Sequence, residues 1–266
     1  MKRFIFLSLL VMLIVSLLTA CGGGKPANKL EEIKQKGEMV VGTSPDYPPF
    51  EYVDSAGAIT GFDIELINEI AKRMGVKVKI VDMPFDSLIA AVQEGKIDLS
   101  ISAFNYTEER DKNVDFTDAY YYAKDRFLVR EDFSENITKA EDFAKYKIGV
   151  GTGTTQEGWL QENLVDTGLM PAEALYHYDR AEQAALDVKS GRIDVYMGDN
   201  AVVDALAKQL GGMKVAFEAE LSSGPVMMVI PEGAKELQAE INKHIKALLE
   251  EGFVDKLAVK YIGGGG

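Results

Sequence analysis

Two stretches of the chain follow one pattern: LIAAVQEGKIDLSISA at residues 88–103 and AALDVKSGRIDVYMGD at residues 184–199. Each starts with apolar residues at helical spacing, passes through Gly95 or Gly191, and ends in a short apolar run. Glycine readily adopts the left-handed conformation in which many helices end, so each stretch predicts a helix followed by a strand. The repeat indicates that the chain contains two units of the same architecture.

Apolar runs that end in glycine precede both copies of this pattern, at residues 39–42 and 147–151. Strand, helix and strand thus occur twice in order, which predicts two α/β lobes with largely parallel sheets. Extended segments at residues 120–130 and 221–230 are expected to join the lobes as a hinge with two crossings. We therefore predict a first lobe of residues 29–124 plus 225–262 and a second lobe of residues 129–221.

Helical spacing also marks both ends of the first lobe. Apolar residues recur at every fourth position from Phe62 to Met74 and predict a helix that stops at Gly75. A last helix is predicted at residues 234–251, and its apolar side is expected to dock on the first lobe. The glycines at residues 263–266 are expected to fray.

The N-terminus has the composition of a secretory signal. Lys2 and Arg3 precede an apolar run that ends at Leu18, and small residues then lead to Cys21, the only cysteine of the chain. This predicts a lipoprotein signal peptide at residues 1–20 and a lipid on Cys21, with residues 21–28 as a flexible tether. The alternative is a transmembrane anchor, since about 17 apolar residues is at the lower edge of what spans a bilayer.

The overall charge limits the partners of the protein. The chain of 266 residues has 42 acidic against 29 basic residues and a net charge of −13. Such acidity argues against nucleic acid and against anionic lipid as partners. A single cysteine forms no intramolecular disulfide, so the fold is expected to rest on its hydrophobic core.

Motifs for catalysis and cofactors are missing from the sequence. His177 and His244 are the only histidines and have no companion at metal-ligand spacing, and G-x-S-x-G does not occur. The glycines at 149, 151 and 153 do not fit the dinucleotide-binding fingerprint, because Thr154 stands where the third glycine belongs. We expect no metal, no cofactor and no enzymatic activity.

Arg110 is the first candidate for ligand binding. Ligands gather at the carboxyl ends of parallel strands, which here predicts a cleft between the lobes. Thr107 is suited to cap a short helix, and an arginine in the first turn of that helix opposes the helix dipole unless an anion lies nearby. The functional interpretation is a guanidinium that binds a carboxylate; the alternative is a surface ion pair with Asp111 or Asp115.

Asp199 is the second candidate. It follows the apolar strand at residues 195–197 directly, so it is expected to emerge at the cleft, where an ammonium is its natural partner. The alternative is that it caps the helix that begins near Ala201. The loop at residues 151–155 offers backbone N–H groups and hydroxyls to an anion.

Aromatic residues near proline form the third group of candidates. Tyr47 and Phe85 lie beside predicted strand ends and are expected to be walls of a pocket. Phe50 and Tyr52 are expected to be core residues that anchor their loop.

Several motifs together resemble the polar amino acid-binding proteins of ABC importers, the bacterial extracellular solute-binding proteins of family 3. They are VGTSPDYPPFE at residues 41–51, GFDIEL at 61–66, TEER at 107–110 and DFTD at 115–118. The resemblance covers about residues 29–262 and implies the type II periplasmic-binding-protein-like fold. It implies a monomeric protein, lipid-anchored outside the cytoplasmic membrane, that captures a free amino acid and delivers it to an ABC permease.

The resemblance also implies roles for individual residues. The α-carboxylate of the ligand would lie on Arg110 and the α-ammonium on Asp199. The remaining implied pocket positions are Ser102, Ala103, Asn105 and Thr155 near the carboxylate, Tyr47 and Phe85 beside the side chain, and Gly151, Thr152 and Gln156 in the second lobe. Ser44 stands where many relatives have aspartate, which leaves the side-chain partner open, with Asp46 nearby.

Two other functions are compatible with the same scaffold. One is a dehydratase of cyclic, prephenate-like acids, which relatives on this scaffold include. The other is an amino-acid receptor without a role in transport.

Overall fold

Two mixed β-sheets, each covered by helices, form the framework of the protein. The computed structural model describes residues 26–263. The strands are β1 Glu38–Thr43, β2 Asp46–Tyr47, β3 Glu51–Val53, β4 Ile59–Thr60, β5 Lys77–Asp82, β6 Leu99–Asn105, β7 Asp115–Phe116, β8 Tyr121–Tyr122, β9 Asp125–Arg130, β10 Ile148–Gly151, β11 Leu175–Tyr178, β12 Val195–Asp199, β13 Met213–Ala219 and β14 Pro225–Ile230.

Helices cover the faces of both sheets. The α-helices are α1 Lys29–Lys36, α2 Phe62–Met74, α3 Leu88–Gln93, α4 Glu108–Asp111, α5 Thr155–Leu160, α6 Ala181–Ser190, α7 Asn200–Leu210, α8 Lys235–Glu250 and α9 Phe253–Tyr261. Helix α5 continues as a π-helical turn at Gln161–Val165, and short 3-10 turns occur at Phe85–Ser87, Ala140–Lys145 and Ala172–Ala174. None of the helices within residues 26–263 has the length and apolar character needed to cross a membrane.

The two sheets have the same plan. The first lobe has the strand order β5-β1-β6-β14-β7, with β8 paired to β14, and the second has β11-β10-β12-β9-β13. Parallel pairing is limited to β1, β5 and β6 in one lobe and to β10, β11 and β12 in the other. The prediction of largely parallel sheets was therefore wrong for the remaining strands. Strands β9 and β14 come directly from the crossings without a helical crossover, and they run antiparallel to their neighbours.

The repeated sequence pattern forms the same element in both lobes. Gly95 and Gly191 follow α3 and α6 with φ of 67° and 77°, as a helix C-terminus requires. The aspartates that follow these glycines have the same role in both lobes. Asp98 accepts a hydrogen bond from the N–H of Val40, and Asp194 accepts one from the N–H of Lys147. Each aspartate thus fixes the start of the neighbouring parallel strand.

The core of the first lobe lies between its sheet and the helices α2 and α8. The apolar residues that predicted α8 are fully buried: Leu237, Ile241, Ile245 and Leu248. Helix α8 contacts α1 and α2, so its predicted docking on the first lobe is confirmed. The additional helix α9, which packs on α2 and α8, was not predicted. The sequence feature that marks the start of α9 is Gly252, which lies between two helical patterns. In the structure Gly252 has φ of 66°.

Two crossings connect the sheets, between β8 and β9 and between β13 and β14. The N–H of Ala123 in the first crossing donates to the carbonyl of Gly224 in the second, at 2.8 Å. Asp125, at the start of β9, is fully buried and accepts hydrogen bonds from the backbone N–H groups of Leu221, Ser222 and Ser223. One carboxylate therefore ties the two crossings together. The predicted signal peptide, Cys21 and most of the predicted tether lie outside the described residues.

Candidate functional site

A cavity of about 510 Å³, including the space at its mouth, lies between the lobes. It lies at the carboxyl ends of β1 and β6 from the first lobe and of β10 and β12 from the second. All the residues predicted to bind ligand line it: Ser44, Tyr47, Phe85, Ser102, Ala103, Asn105, Arg110, Gly151, Thr152, Thr155, Gln156 and Asp199.

Arg110 reaches this cavity from the first turn of α4. Thr107 caps this helix, because its hydroxyl accepts the N–H of Arg110 at 3.1 Å. The guanidinium lies over the rings of Phe85 and Phe104, at 5.6 and 5.5 Å from their centres. Its Nη1 donates to the carbonyl of Asn105 at 2.6 Å, and its Nη2 donates to the carbonyl of Gly153 in the opposite lobe at 2.8 Å.

No carboxylate neutralises Arg110 among the described residues. The surface ion pairs considered as an alternative do not form, and Asp115 pairs with Lys235 instead, at 2.9 Å. Burial lowers the pKa of Arg110 to about 10, because desolvation penalises its charged form. A partly buried guanidinium whose only hydrogen bonds are to two carbonyl oxygens still has N–H groups with which to bind an anion.

Asp199 is buried in the second lobe, where β12 ends. Its Oδ1 accepts hydrogen bonds from Ser223 Oγ at 2.5 Å, Gln156 Nε2 at 2.9 Å and Asn105 Nδ2 at 3.5 Å. It stands at the N-cap position of α7, but its side chain makes no capping bond, so the capping alternative is not observed. Burial raises the pKa of Asp199 to about 6, the charge of Asp125 adds to this, and the Ser223 hydrogen bond opposes it.

The loop after β10 brings the second lobe close to the first. Thr154 caps α5 by accepting the N–H of Glu157, and the N–H of Gly153 donates to the Glu157 carboxylate at 2.6 Å. The amide of Gly153 is therefore already used within the loop. It does not face the cavity as a donor for an anionic ligand, which the prediction for residues 151–155 had included. Gly153 has φ of 77°, and a Cβ added to it would lie 3.0 Å from the Cβ of Asp86 in the first lobe.

The aromatic walls of the cavity come from both lobes. Phe85 stacks on Phe104 with ring centres 4.5 Å apart, and Tyr47 Oη accepts the N–H of Asp199 at 3.3 Å across the cleft. Phe50 is a fully buried core residue, as predicted, whereas Tyr52 is only half-buried. Tyr178 also lines the cavity. It was missed because the four residues of β11 were not recognised as a strand.

Ser44 and Asp46 form a cross-lobe contact at the mouth of the cavity. Ser44 Oγ donates to Asp46 Oδ1 at 2.9 Å. The Asp46 carboxylate accepts the N–H of Ala181 at 2.7 Å and an Arg180 N–H at 3.3 Å, so it caps α6 of the second lobe. Asp46 thus lines the cavity with its charge already paired. Within residues 26–263 no group of three or more His, Cys, Asp or Glu side chains is placed to hold a metal ion.

The family model for bacterial extracellular solute-binding proteins, family 3, matches residues 39–264 of the chain. The chain belongs to this family. The histidine-binding periplasmic protein of Escherichia coli is 32% identical over 269 residues, with 98% of this chain and 97% of that protein covered. The arginine-binding extracellular protein ArtP of Bacillus subtilis is 30% identical, with 99% of both chains covered.

Solved structures of the same family share the fold. An ancestral arginine-binding protein bound to arginine matches with a TM-score of 0.79 and 37% identity over 85% of this chain and 99% of that chain. An amino acid ABC transporter substrate-binding protein from Streptococcus pneumoniae, bound to L-arginine, matches with a TM-score of 0.80 and 29% identity over 88% of this chain and 97% of that chain. The predicted two-lobed, type II periplasmic-binding-protein-like fold is confirmed. This family member is a solute-binding protein that acts outside the cytoplasm.

Proposed function

We propose that this protein captures a free α-amino acid between its lobes and delivers it to the permease of an ABC importer. One observation carries the proposal: the cavity is lined by a partly buried cation, Arg110, on one lobe and a buried anion, Asp199, on the other, and neither has a counter-charge among the described residues. The carboxylate and ammonium of a zwitterion supply both missing partners. Neither lobe alone completes such a site.

The names of relatives support an amino acid as the ligand and differ on its side chain. The relatives are named for histidine, arginine and L-cystine. Ancestral arginine-binding proteins in solved structures are bound to arginine and to glutamine. The α-amino and α-carboxylate groups are common to all of these, and they are the groups that Arg110 and Asp199 suit.

A thermal-shift screen of the ligand-stripped, full-length protein against the common amino acids tests the proposal. An amino acid at a hundred times its Kd is expected to add ~2.7 kcal/mol to the stability. The matched controls are the same compound without its α-amine and the same compound without its α-carboxylate, and both are expected to bind poorly. Equal binding of the deaminated analogue would contradict the proposal.

The same analogue distinguishes the enzymatic alternative. One similar solved structure, at 34% identity and a TM-score of 0.79, is an ancestral amino acid-binding protein described as a precursor of cyclohexadienyl dehydratase. A cyclic acid without an amine does not need the Asp199 carboxylate as a partner, whereas the ammonium of an amino acid does. Turnover of prephenate-like acids by the purified protein would support that alternative, and a receptor role would be supported by the absence of permease and ATPase genes beside this gene.

The proposal includes the location and state of the protein. A lipid on Cys21 would hold it at the outer face of the cytoplasmic membrane, near its permease. It would act as a monomer, without a cofactor and without nucleic acid as a partner.

A further inference from the structure

Two carboxyl groups lie together behind the floor of the cavity in the first lobe. Glu51 comes from β3 and lines the cavity, and Asp63 comes from the first turn of α2. Both side chains are fully buried, and among the described residues neither has a cationic partner. Buried carboxylates without a counter-charge are costly, so this pair requires a physical explanation.

Each carboxyl group uses one oxygen for hydrogen bonds with cavity residues or their neighbours. Glu51 Oε1 accepts from Ser102 Oγ at 2.7 Å. Asp63 Oδ2 accepts from the N–H of Ala103 at 2.8 Å and from Tyr120 Oη at 2.9 Å. The other two oxygens, Glu51 Oε2 and Asp63 Oδ1, are buried and accept nothing from the N–H and O–H groups of the described residues.

One proton satisfies both of these oxygens. The two carboxyl groups are anchored to the adjacent residues Ser102 and Ala103, and the charge of Asp63 acts on Glu51 at close range. If both were ionised, two buried acceptors would lack donors and their charges would repel. A proton on Glu51 Oε2, donated to Asp63 Oδ1, removes both problems. Burial and then the charge of Asp63 raise the pKa of Glu51 well above its usual range, and burial raises that of Asp63 to about 6.

The backbone that this pair holds has an unusual conformation. Ala103 has φ of 45°, the only positive φ of a residue other than glycine in the described chain. The register between β6 and β14 shifts between Met227 and Val229, and Met228 bonds through its N–H and carbonyl to Thr117 rather than to β6. The Ala103 N–H therefore has the Asp63 carboxylate in place of a strand partner.

We propose that Glu51 and Asp63 share one proton and act together as positioning residues for Ser102 and Ala103 in the cavity floor. The pair fixes the direction of the Ser102 hydroxyl. Ser102 Oγ accepts the N–H of Ser44 at 3.1 Å and gives its only proton to Glu51. Only one lone pair of Ser102 Oγ then remains available to a ligand in the cavity. Ser102 therefore accepts from an ammonium or another donor of the ligand and does not donate to its carboxylate.

Infrared spectroscopy tests the shared proton without any ligand. The full-length protein in detergent, at about pH 8, is expected to show the C=O stretch of a protonated carboxylic acid, because the pair would retain its shared proton while Asp199, with a pKa of about 6, is ionised. Glu51→Gln is expected to remove this band. The matched control is Glu38→Gln, which changes an exposed glutamate and leaves the band in place. Absence of the band from the wild type, or its persistence in Glu51→Gln, would overturn the proposal.

Calorimetry tests the positioning role, and this arm rests on the proposed function. The probe is whichever of L-arginine, L-glutamine, L-histidine and L-cystine binds the wild type most tightly. Glu51→Gln keeps one acceptor for Ser102 and one donor for Asp63, so its Kd is expected to stay within about threefold of the wild type. Glu51→Leu keeps neither. In the Glu51→Gln, Asp63→Asn double variant, two NH2 groups face each other where the wild type is proposed to have one shared proton. Both are expected to bind at least about tenfold more weakly.

The two arms separate failure of the inference from failure of the proposed function. If Glu51→Gln weakens binding as much as Glu51→Leu does, the shared proton does not position the floor, and the inference is wrong. If none of the probes binds the wild type, the proposed function is in doubt while the infrared band still decides whether the proton is shared.

Discussion

At the scale of single residues, one partly buried and one buried charge dominate the site. Arg110 and Asp199 are each desolvated, and each contacts only neutral groups of the described chain. Burial favours the neutral form of both groups, because it lowers the pKa of Arg110 and raises the pKa of Asp199. These shifts reflect the electrostatic cost of a desolvated charge without a counter-charge. Binding strength is therefore expected to respond to any change in either charge.

The first prediction concerns Arg110→Ala. This change removes a charge-assisted partner of the ligand carboxylate inside the cleft, and it is expected to weaken binding by roughly 3 kcal/mol. Folding stability is expected to stay nearly constant, because the wild-type guanidinium is itself a partly desolvated charge without a counter-charge among the described residues. Isothermal titration calorimetry and thermal unfolding measure the two effects. Arg192→Ala, in an exposed pair with Asp187, is the control, and equal affinities for the two variants would contradict the prediction.

The second prediction concerns the pH dependence of binding. The pKa of Asp199 is about 6 in the protein without ligand, and a bound ammonium stabilises the carboxylate and lowers that value. Below pH 6 a proton must leave Asp199 before the ammonium binds, so affinity is expected to fall by up to about tenfold per pH unit as the pH decreases. Affinity is expected to be nearly constant between about pH 7 and about pH 8, where Asp199 is ionised and Arg110 and the ligand ammonium keep their protons.

The variant Asp199→Asn assigns this pH dependence. It is expected to bind weakly at every pH, because the ammonium loses its counter-charge, and to show no decline between pH 7 and pH 5. Asp63, whose pKa is also about 6, remains in this variant. A decline that persists in Asp199→Asn would therefore belong to another buried acid, such as Asp63 or Asp46, and not to Asp199.

At the scale of secondary structure elements, the hinge is hydrogen-bonded to the site acid through Ser223. Ser223, between β13 and β14, places its Oγ 2.7 Å from Asp125 Oδ1 and 2.5 Å from Asp199 Oδ1. A hydroxyl carries one proton, so it donates to only one carboxylate at a time. The state of Asp199 in the site is thereby linked to the carboxylate that ties the two crossings.

The third prediction is that Ser223→Ala weakens ligand binding by about 1.5 kcal/mol, the value of a hydrogen bond to a charged group. Ser222→Ala is the matched control, since Ser222 Oγ donates to Asp125 at 2.9 Å and has no bond to Asp199. Both variants lose a hinge hydrogen bond, and only the first loses the link to the site. Calorimetry is the measurement, and equal losses in the two variants would mean that the hinge contact alone matters.

At the scale of the whole molecule, the contacts between the lobes hold the cleft closed around the cavity. They include Arg110 with Gly153, Tyr47 with Asp199, and Asp46 with the start of α6. A ligand that neutralises one charge on each lobe stabilises this closed arrangement, so small-angle scattering is expected to show a more compact protein when the amino acid is bound.

The fourth prediction concerns the attachment of the molecule to the membrane. Cys21 lies outside the described residues, and the prediction comes from its place after a signal-like N-terminus. Cys21→Ala is expected to prevent lipid attachment. The variant is then expected either to leave the membrane fraction or to remain unprocessed. Cell fractionation with a mass measurement of the product is the test. A processed variant that stays in the membrane fraction would contradict a lipid on Cys21.

The sequence by itself determined the repeated strand, helix and strand of each lobe, because apolar spacing and the glycines that end helices act over a few residues. It also placed residues 102–105 and Asp199 at the cleft, since the carboxyl ends of parallel strands share one edge of a sheet, whereas pocket residues such as Gln156 came from the resemblance to the family. Only the tertiary structure decided the antiparallel entry of β9 and β14, the last helix α9, and the pairing of Glu51 with Asp63. Burial and hydrogen bonding between residues distant in the chain set these features, and local patterns do not contain that information. For the same reason, the use of the Gly153 amide by Glu157 and the capping of α6 by Asp46 became visible only when both lobes were in place.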